Sequence, residues 1–367
     1  MIRAIGLMSG TSLDGVDAAV LETDGENIVR PGPSLAVPYT PEERAVLRRA
    51  LEAAKDWAAG EPMPEDVAEA ERLLTLAHVQ AVRKLLDQAG FKPGEVDLIG
   101  FHGQTVLHQP ERRRTVQIGV GEALAALTGI DVVNDFRSAD VAAGGHGAPL
   151  VPLYHQALVR SAGIREPVAI VNIGGVGNIT YVGQDGQLLA FDTGPGNALI
   201  DDWAQRHTGE PVDLDGALAR EGEVDVDVLR ELMAHAFFDA PPPKSLDRFS
   251  FSFNPAAHLS PQDGAATLTA FTVEAIARGV AHIPGVPSRF IVCGGGRRNP
   301  VLMSMLSRRL QGGVLPAEDL GWRGDDVEAE AFAYLAVRSL RGLPLSLPTT
   351  TGVPEPMPGG RFHKAER

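Results

Sequence analysis

Short β-branched apolar runs broken by glycine-rich turns open both halves of the chain. Residues 2–8 and 16–22 are two such runs, separated by Gly10-Thr11-Ser12-Leu13-Asp14-Gly15. The pattern returns where residues 168–172 enter Gly174-Gly175 and leave through another apolar run to Thr180. Runs of this kind bounded by turn residues predict strands. Each turn therefore closes a hairpin, unlike the strand-to-helix entry of dinucleotide folds and P-loops.

Elsewhere the spacing changes to the helical period. Thr40-Pro41-Glu42-Glu43 predicts a helix start, with a Thr cap, Pro at the first position and Glu at the third. Val67, Leu73, Leu74, Val82, Leu85 and Leu86 form an apolar stripe on a second helix ended by Gly90. Strands are predicted at 96–101, 115–118 and 130–133, and a helix at 149–159. The second half predicts strands at 188–191 and 289–293, with helices from Asn197 and over 225–236, 265–281, 301–310 and 327–340. Interleaved strands and helices in both halves predict an α/β class of two domains with mixed sheets flanked by helices. The expected domains are 1–163 and 164–342, followed by a tail, 343–367, whose five prolines predict no regular structure.

Length agrees with two domains, because 367 residues exceed the size at which one core usually stops growing. Lys plus Arg number 33 against 47 Asp plus Glu, a net charge of −14, which argues against nucleic-acid or anionic-membrane partners. Any bound phosphate must then be held by local donors and a metal. The single cysteine, Cys293, excludes an internal disulfide, and no long apolar run or N-terminal signal appears, so the expected location is the cytoplasm. The histidines lack metal-site spacing, so a protein-caged zinc is not expected.

Glycines in the two turns let backbone N–H groups converge on an anion, and the Thr11 and Ser12 hydroxyls add donors. Two such hairpins suggest related halves closing on one nucleotide. A third cluster, Cys293-Gly-Gly-Gly-Arg-Arg-Asn-Pro300, is either a plain turn or a shelf for a purine, with an Arg plane stacking on its other face. Asp192, in Phe191-Asp-Thr-Gly-Pro-Gly-Asn197, is either a helix N-cap or a carboxylate that accepts a proton in line with a γ-phosphate. Asp14 and Asp17 are turn-formers or a magnesium site reached through water.

Turn, turn, then glycine shelf, in that order, resembles the actin-like sugar kinase and chaperone ATPase superfamily. The resemblance then narrows. Residues 8–17, His102-Gly-Gln-Thr105, Asp135-Phe-Arg137, residues 144–152, Asn172-Ile-Gly-Gly175, residues 192–197 and 293–296 resemble the anhydro-N-acetylmuramic acid kinase family, in family order over residues 1 to about 340. This implies two actin-like, ribonuclease H-like domains with nucleotide and sugar in the cleft between them. It implies ATP and magnesium, the substrate 1,6-anhydro-N-acetylmuramic acid, and a homodimer. In the implied reaction, water opens the anhydro bridge while O6 takes the γ-phosphate. Asp192 matches the family's base, and Gly10, Thr11, Ser12, Leu13, Asp14, Gly15, Val16 and Asp17 match its ATP phosphate loop. Asn172, Gly174 and Gly175 form the second phosphate turn, and Gly294, Gly295, Gly296 and Asn299 fall at the adenosine shelf. Glu328 matches an acid that holds the sugar, with Gly147 in a sugar-cleft motif. Arg137 is a candidate for the lactyl carboxylate or a surface ion pair, while His102 and Gln104 are sugar-hydroxyl partners or satisfied core groups. One departure stands out: the family usually reads Pro-Lys-Ser-Thr-Gly-Arg-Glu where this chain has Pro243-Lys-Ser-Leu-Asp-Arg-Phe249, so Lys244 is not assigned a catalytic role. The alternatives are a plain sugar or carboxylate kinase of the same superfamily, and a nucleotide-driven binding module.

Overall fold

The computed structural model describes residues 1–10, 12–246 and 250–366. The chain forms two compact units, Met1–Gly163 with Asp326–Arg367, and Ile164–Asp325. The first contains β1 (Ile2–Met8), β2 (Gly15–Thr23), β3 (Val29–Pro38), β4 (Leu98–Phe101), β5 (Gln104–Gln109), β6 (Arg114–Ile118) and β7 (Val132–Asn134). β1, β2 and β3 form an antiparallel meander, β1 pairs parallel with β4, and β4 pairs parallel with β7. β5 and β6 form a separate ribbon.

The second unit holds β8 (Val168–Ile173), β9 (Val176–Val182), β10 (Leu188–Pro195), β11 (Arg289–Cys293) and β12 (Gly313–Pro316). β8 and β9 pair antiparallel, as do β9 and β10, while β11 runs parallel to both β8 and β12. The order β10-β9-β8-β11-β12 thus repeats the β3-β2-β1-β4-β7 order of the first unit. This doubled, mixed sheet is the α/β, ribonuclease H-like arrangement expected from the sequence.

Local signals explain most boundaries. Thr40 and Glu43 form the reciprocal capping box that starts the helix Pro41–Lys55, and left-handed Gly90 ends the helix Glu65–Ala89. The strand β3 was not anticipated, because Pro31 and Pro33 interrupt its sequence; it lies at the sheet edge, where a missing N–H is tolerated. β10 runs past the expected 188–191, because a bulge between Asp192 and Gly194 lets its pairing with β9 resume.

The C-terminal assignment changes. The helix Val327–Leu340, expected in the second half, packs on β1, β2 and β4 of the first unit. Gly6 and Gly100 admit its backbone: a Cβ at Gly6 would lie 1.7 Å from the Ala329 carbonyl oxygen, and one at Gly100 2.0 Å from that of Phe332. The segment 343–366 is also ordered where none was expected. It forms a short helix, Pro348–Thr351, and β13 (Arg361–His363), which adds to the β7 edge. Among the described residues, no helix is long and apolar enough to cross a membrane.

Candidate active site

In the first unit, the β1–β2 turn borders a cavity of about 370 Å³ whose lining includes Gly10, Ser12, Asp14, Asp17, Arg44 and Glu328. Thr11 lies outside the described residues. The turn is shaped by a bond from the Leu13 N–H to the Gly10 carbonyl (3.1 Å) and by Leu13 at φ +57°. Leu13 and Val16 bury their side chains in the core, so only their backbones can face a ligand. Gly15 is fixed by strand pairing, since a Cβ there would lie 2.3 Å from the Val37 carbonyl oxygen. Asp14 stays largely exposed, 4.0 Å from Arg44. Two groups missed in the sequence brace the turn: the Ser9 hydroxyl donates to Gln104 Oε1 (2.7 Å) and pairs with the Tyr39 hydroxyl (2.8 Å). Gln104 is fully buried, so this bond makes it a support of the turn.

His102, Arg137 and Gly147 form a second linked set. Arg137 Nε donates to His102 Nε2 at 3.0 Å and Nη1 to the Gly147 carbonyl at 2.6 Å. Because the guanidinium is a donor only, His102 Nε2 must accept, and its Nδ1–H donates to the Gly103 carbonyl at 2.9 Å. Burial, then the Arg137 charge, hold His102 well below the ordinary histidine range, so the ring stays neutral. Burial also brings Arg137 down to about 10, opposed by Glu328 and Asp140. These contacts replace the surface ion pair considered for Arg137. Glu328 is pushed up by burial, and the nearby Arg137 charge opposes the shift. Phe332, on the same helix as Glu328, contacts the His102 ring (4.5 Å between centroids) and Phe136 (5.3 Å), fixing this set beside the helix.

In the second unit, three glycine segments meet. Asn197 N–H donates to the Gly174 carbonyl (2.7 Å), its Nδ2 to that of Ile173 (3.0 Å), and Gly196 N–H to that of Gly175 (2.9 Å). Gly294 and Gly296 pack on the same hairpin: Cβ atoms there would lie 2.6 Å from Asn172 Oδ1 and 2.4 Å from Ile173 Cγ2. Asn299 Oδ1 is committed as N-cap of the helix Pro300–Arg309, accepting from Val301 and Leu302. Of the two arginines that could supply a purine-stacking plane, Arg297 is held by both Asp325 oxygens (2.8 Å each) and by Glu318, and donates to the Gly294 carbonyl. Arg298 is the exposed member of the pair, with its side chain 68% accessible.

Gly10, Gly174, Gly175 and Gly295 differ from their neighbours. Among the described residues, a Cβ at any of them would meet nothing closer than 3.5 Å, and none has a positive φ. Neither packing nor a left-handed backbone demands glycine at these four positions.

Asp192 sits at the β10 bulge, on the sheet edge. Its N–H donates to the Lys244 carbonyl (2.9 Å), and its Oδ2 accepts from the Leu246 N–H (2.8 Å). Asn197, not Asp192, occupies the N-cap position of the helix Ala198–Thr208, so the cap reading is removed. Burial pushes the Asp192 carboxyl up to about 7, and the Leu246 N–H only partly offsets it. A carboxylate of this kind can exchange a proton near neutral pH. Lys244 donates to the Phe237 and Phe238 carbonyls and braces that segment. The altered loop reaches Asp192 through a backbone N–H, which exchange of side chains leaves intact; residues 247–249 lie outside the described residues.

A family model for anhydro-N-acetylmuramic acid kinase matches residues 2–363. A relative of that name from Rhizorhabdus wittichii is 55% identical over 362 residues, covering 98% of each chain. Another from Paramagnetospirillum magneticum is 54% identical over 363 residues, covering 98% of this chain and 99% of its own. With a match across nearly its whole length, this chain belongs to the anhydro-N-acetylmuramic acid kinase family.

Proposed function

We propose that this protein converts 1,6-anhydro-N-acetylmuramic acid, water and ATP to N-acetylmuramate 6-phosphate and ADP, returning cell-wall sugar to metabolism. Family membership supports the substrate pair, and the carboxylate of Asp192, raised by burial and accepting from the Leu246 N–H, carries the mechanism. Asp192 takes a proton from water as the water oxygen bonds to the anomeric carbon. The bond from that carbon to the bridging O6 breaks, O6 takes the γ-phosphoryl group, and ADP leaves. Asp192 then gives its proton to solvent. Ordinary glycosidases need a second, acidic carboxyl group for the leaving oxygen. Here that oxygen stays tethered to the sugar and is trapped by phosphoryl transfer, so one base suffices.

The first unit provides Arg137, held in place by His102, for the lactyl carboxylate, Glu328 for the sugar, and the first phosphate turn. The second provides Asp192, the Asn172–Gly175 turn and the Gly294–Gly296 shelf for adenosine. Magnesium supplies charge neutralisation at the phosphates when bound. Asp14, exposed at the lining of the cavity beside the first turn, is the residue that would hold a nucleotide-borne magnesium, through water. An enzyme that consumes ATP works where ATP is, which supports a cytoplasmic location. A homodimer is the assembly that the family resemblance implies.

The test is to incubate the protein with ATP, magnesium and the anhydro sugar in isotopically labelled water, and weigh the product at early times. The expected product carries one phosphate and one labelled oxygen at the anomeric hydroxyl. A phosphorylated sugar lighter by one water would mean a kinase without the hydrolytic step.

A further inference from the structure

Asp140 is an acid that the proposed chemistry does not use, yet it is 2% exposed and bonded on every side. It lies on the short helix Ser138–Ala143, directly after Arg137. Its Oδ1 accepts from the Gly147 N–H at 2.6 Å, and its Oδ2 accepts from the Thr351 hydroxyl at 2.5 Å and from that of Ser346. The Thr351 carbonyl also accepts from the His146 N–H at 2.7 Å. The loop closes tightly over this carboxylate, since a Cβ at Gly145 would lie 2.2 Å from Asp140 Oδ1. Gly147, at φ +69°, passes its carbonyl to Arg137 Nη1.

A buried carboxylate is a poor source of stability, because an apolar group of similar shape often does as well. Its directed bonds do something else: they fix where donors point. We propose that Asp140 is a positioning residue for the anhydro sugar. Gripped by Ser346 and Thr351 of the C-terminal segment, it fixes Gly147 and, through the Gly147 carbonyl, the Arg137 guanidinium. The C-terminal segment is thereby part of the sugar-binding apparatus of the first unit. This rests on the proposed role of Arg137 and on the substrate named above.

The lock is tested by the KM for the anhydro sugar and the KM for ATP in Thr351→Val, which keeps the shape of the side chain and removes its hydroxyl. Losing one donor to a buried carboxylate is expected to raise the sugar KM about tenfold, and the ATP KM should stay within about twofold. Thr351→Ser restores the hydroxyl and should recover the wild-type sugar KM. Ser346→Ala should shift the sugar KM in the same direction, which keeps the idea testable if Thr351→Val folds badly. An unchanged sugar KM in both variants, a parallel rise of both KM values, or a Thr351→Ser variant no better than Thr351→Val would overturn it. Wild-type protein that leaves the anhydro sugar untouched overturns the proposed function, and this inference with it. Normal wild-type turnover with flat variants overturns the lock alone.

Discussion

The two units carry one strand arrangement, β3-β2-β1-β4-β7 and β10-β9-β8-β11-β12, and hold their buried polar groups in different ways. In the first, the polar groups hold one another: Arg137 bonds to His102 and Gly147, Gly147 to Asp140, and Ser9 to Gln104 and Tyr39. In the second, Asp192 is set at a strand bulge with its carboxylate accepting from Leu246. Groups that must present a fixed donor pattern benefit from being locked before substrate arrives. A group that must take up a proton needs the reverse, a charged form that its surroundings solvate poorly. The repeated scaffold serves both because strand ends and hairpin turns offer equivalent positions, while the loops decide how fully each group is satisfied.

Removing the proton acceptor should have the largest effect. Asp192→Asn keeps the oxygen that accepts from Leu246 but loses basicity, and should lower kcat by about 10³ to 10⁴-fold with ATP still bound. Steady-state kinetics with a parallel measurement of ATP binding checks this. Retention of a tenth of wild-type turnover would leave the second unit without its base and end the contrast drawn above.

The glycines sharpen the comparison at the level of packing. Gly6→Ala drives a Cβ to 1.7 Å from the backbone of the helix Val327–Leu340. Separating strand and helix is expected to cost about 3 kcal/mol or more, seen as a large fall in Tm or in soluble yield. Gly175→Ala meets only Ala198 Cβ, at 3.8 Å, so it should fold normally and lose ATP affinity alone. Normal ATP binding by Gly175→Ala would mean that the open space at this turn serves no ligand.

Sequence made these glycines visible without ranking them. The hairpin turns, the capping box and the helix Val327–Leu340 were legible because their signals are local: turn residues, a reciprocal cap and a 3.6-residue period. Which sheet that helix covers was not, because the answer depends on gaps left by Gly6 and Gly100 far away in the chain. The same limit applied at the site. Asp192 and the two glycine turns lie within short motifs, whereas Asp140 acquires meaning only from Ser346 and Thr351, more than 200 residues later. Arg297 and Asn299 fell inside a nucleotide motif, yet their polar atoms are bound to Asp325, Glu318 and the N-terminal turn of a helix. Proximity to glycines marks a region; only the partners decide which member faces outward.

A pH-dependent effect concerns the stability that the second unit gives up at Asp192. Its carboxyl is raised from 3.8 to about 7 by burial. An acid whose folded pKa lies above its unfolded value stabilises the fold fully below the unfolded pKa, and that contribution is lost as pH rises through the folded pKa. Wild-type Tm should therefore decline relative to Asp192→Asn between about pH 4 and pH 8, because the amide never carries the charge. The same titration in the free enzyme should make wild-type kcat/KM rise with pH through about 7, since only the ionised form accepts a proton. Melting curves of both proteins across this range, beside the wild-type rate profile, check the two readings together. A Tm difference independent of pH, or activity that peaks well below pH 6, would show that Asp192 is solvated like an ordinary carboxylate, and the variant would then be less active without being more stable.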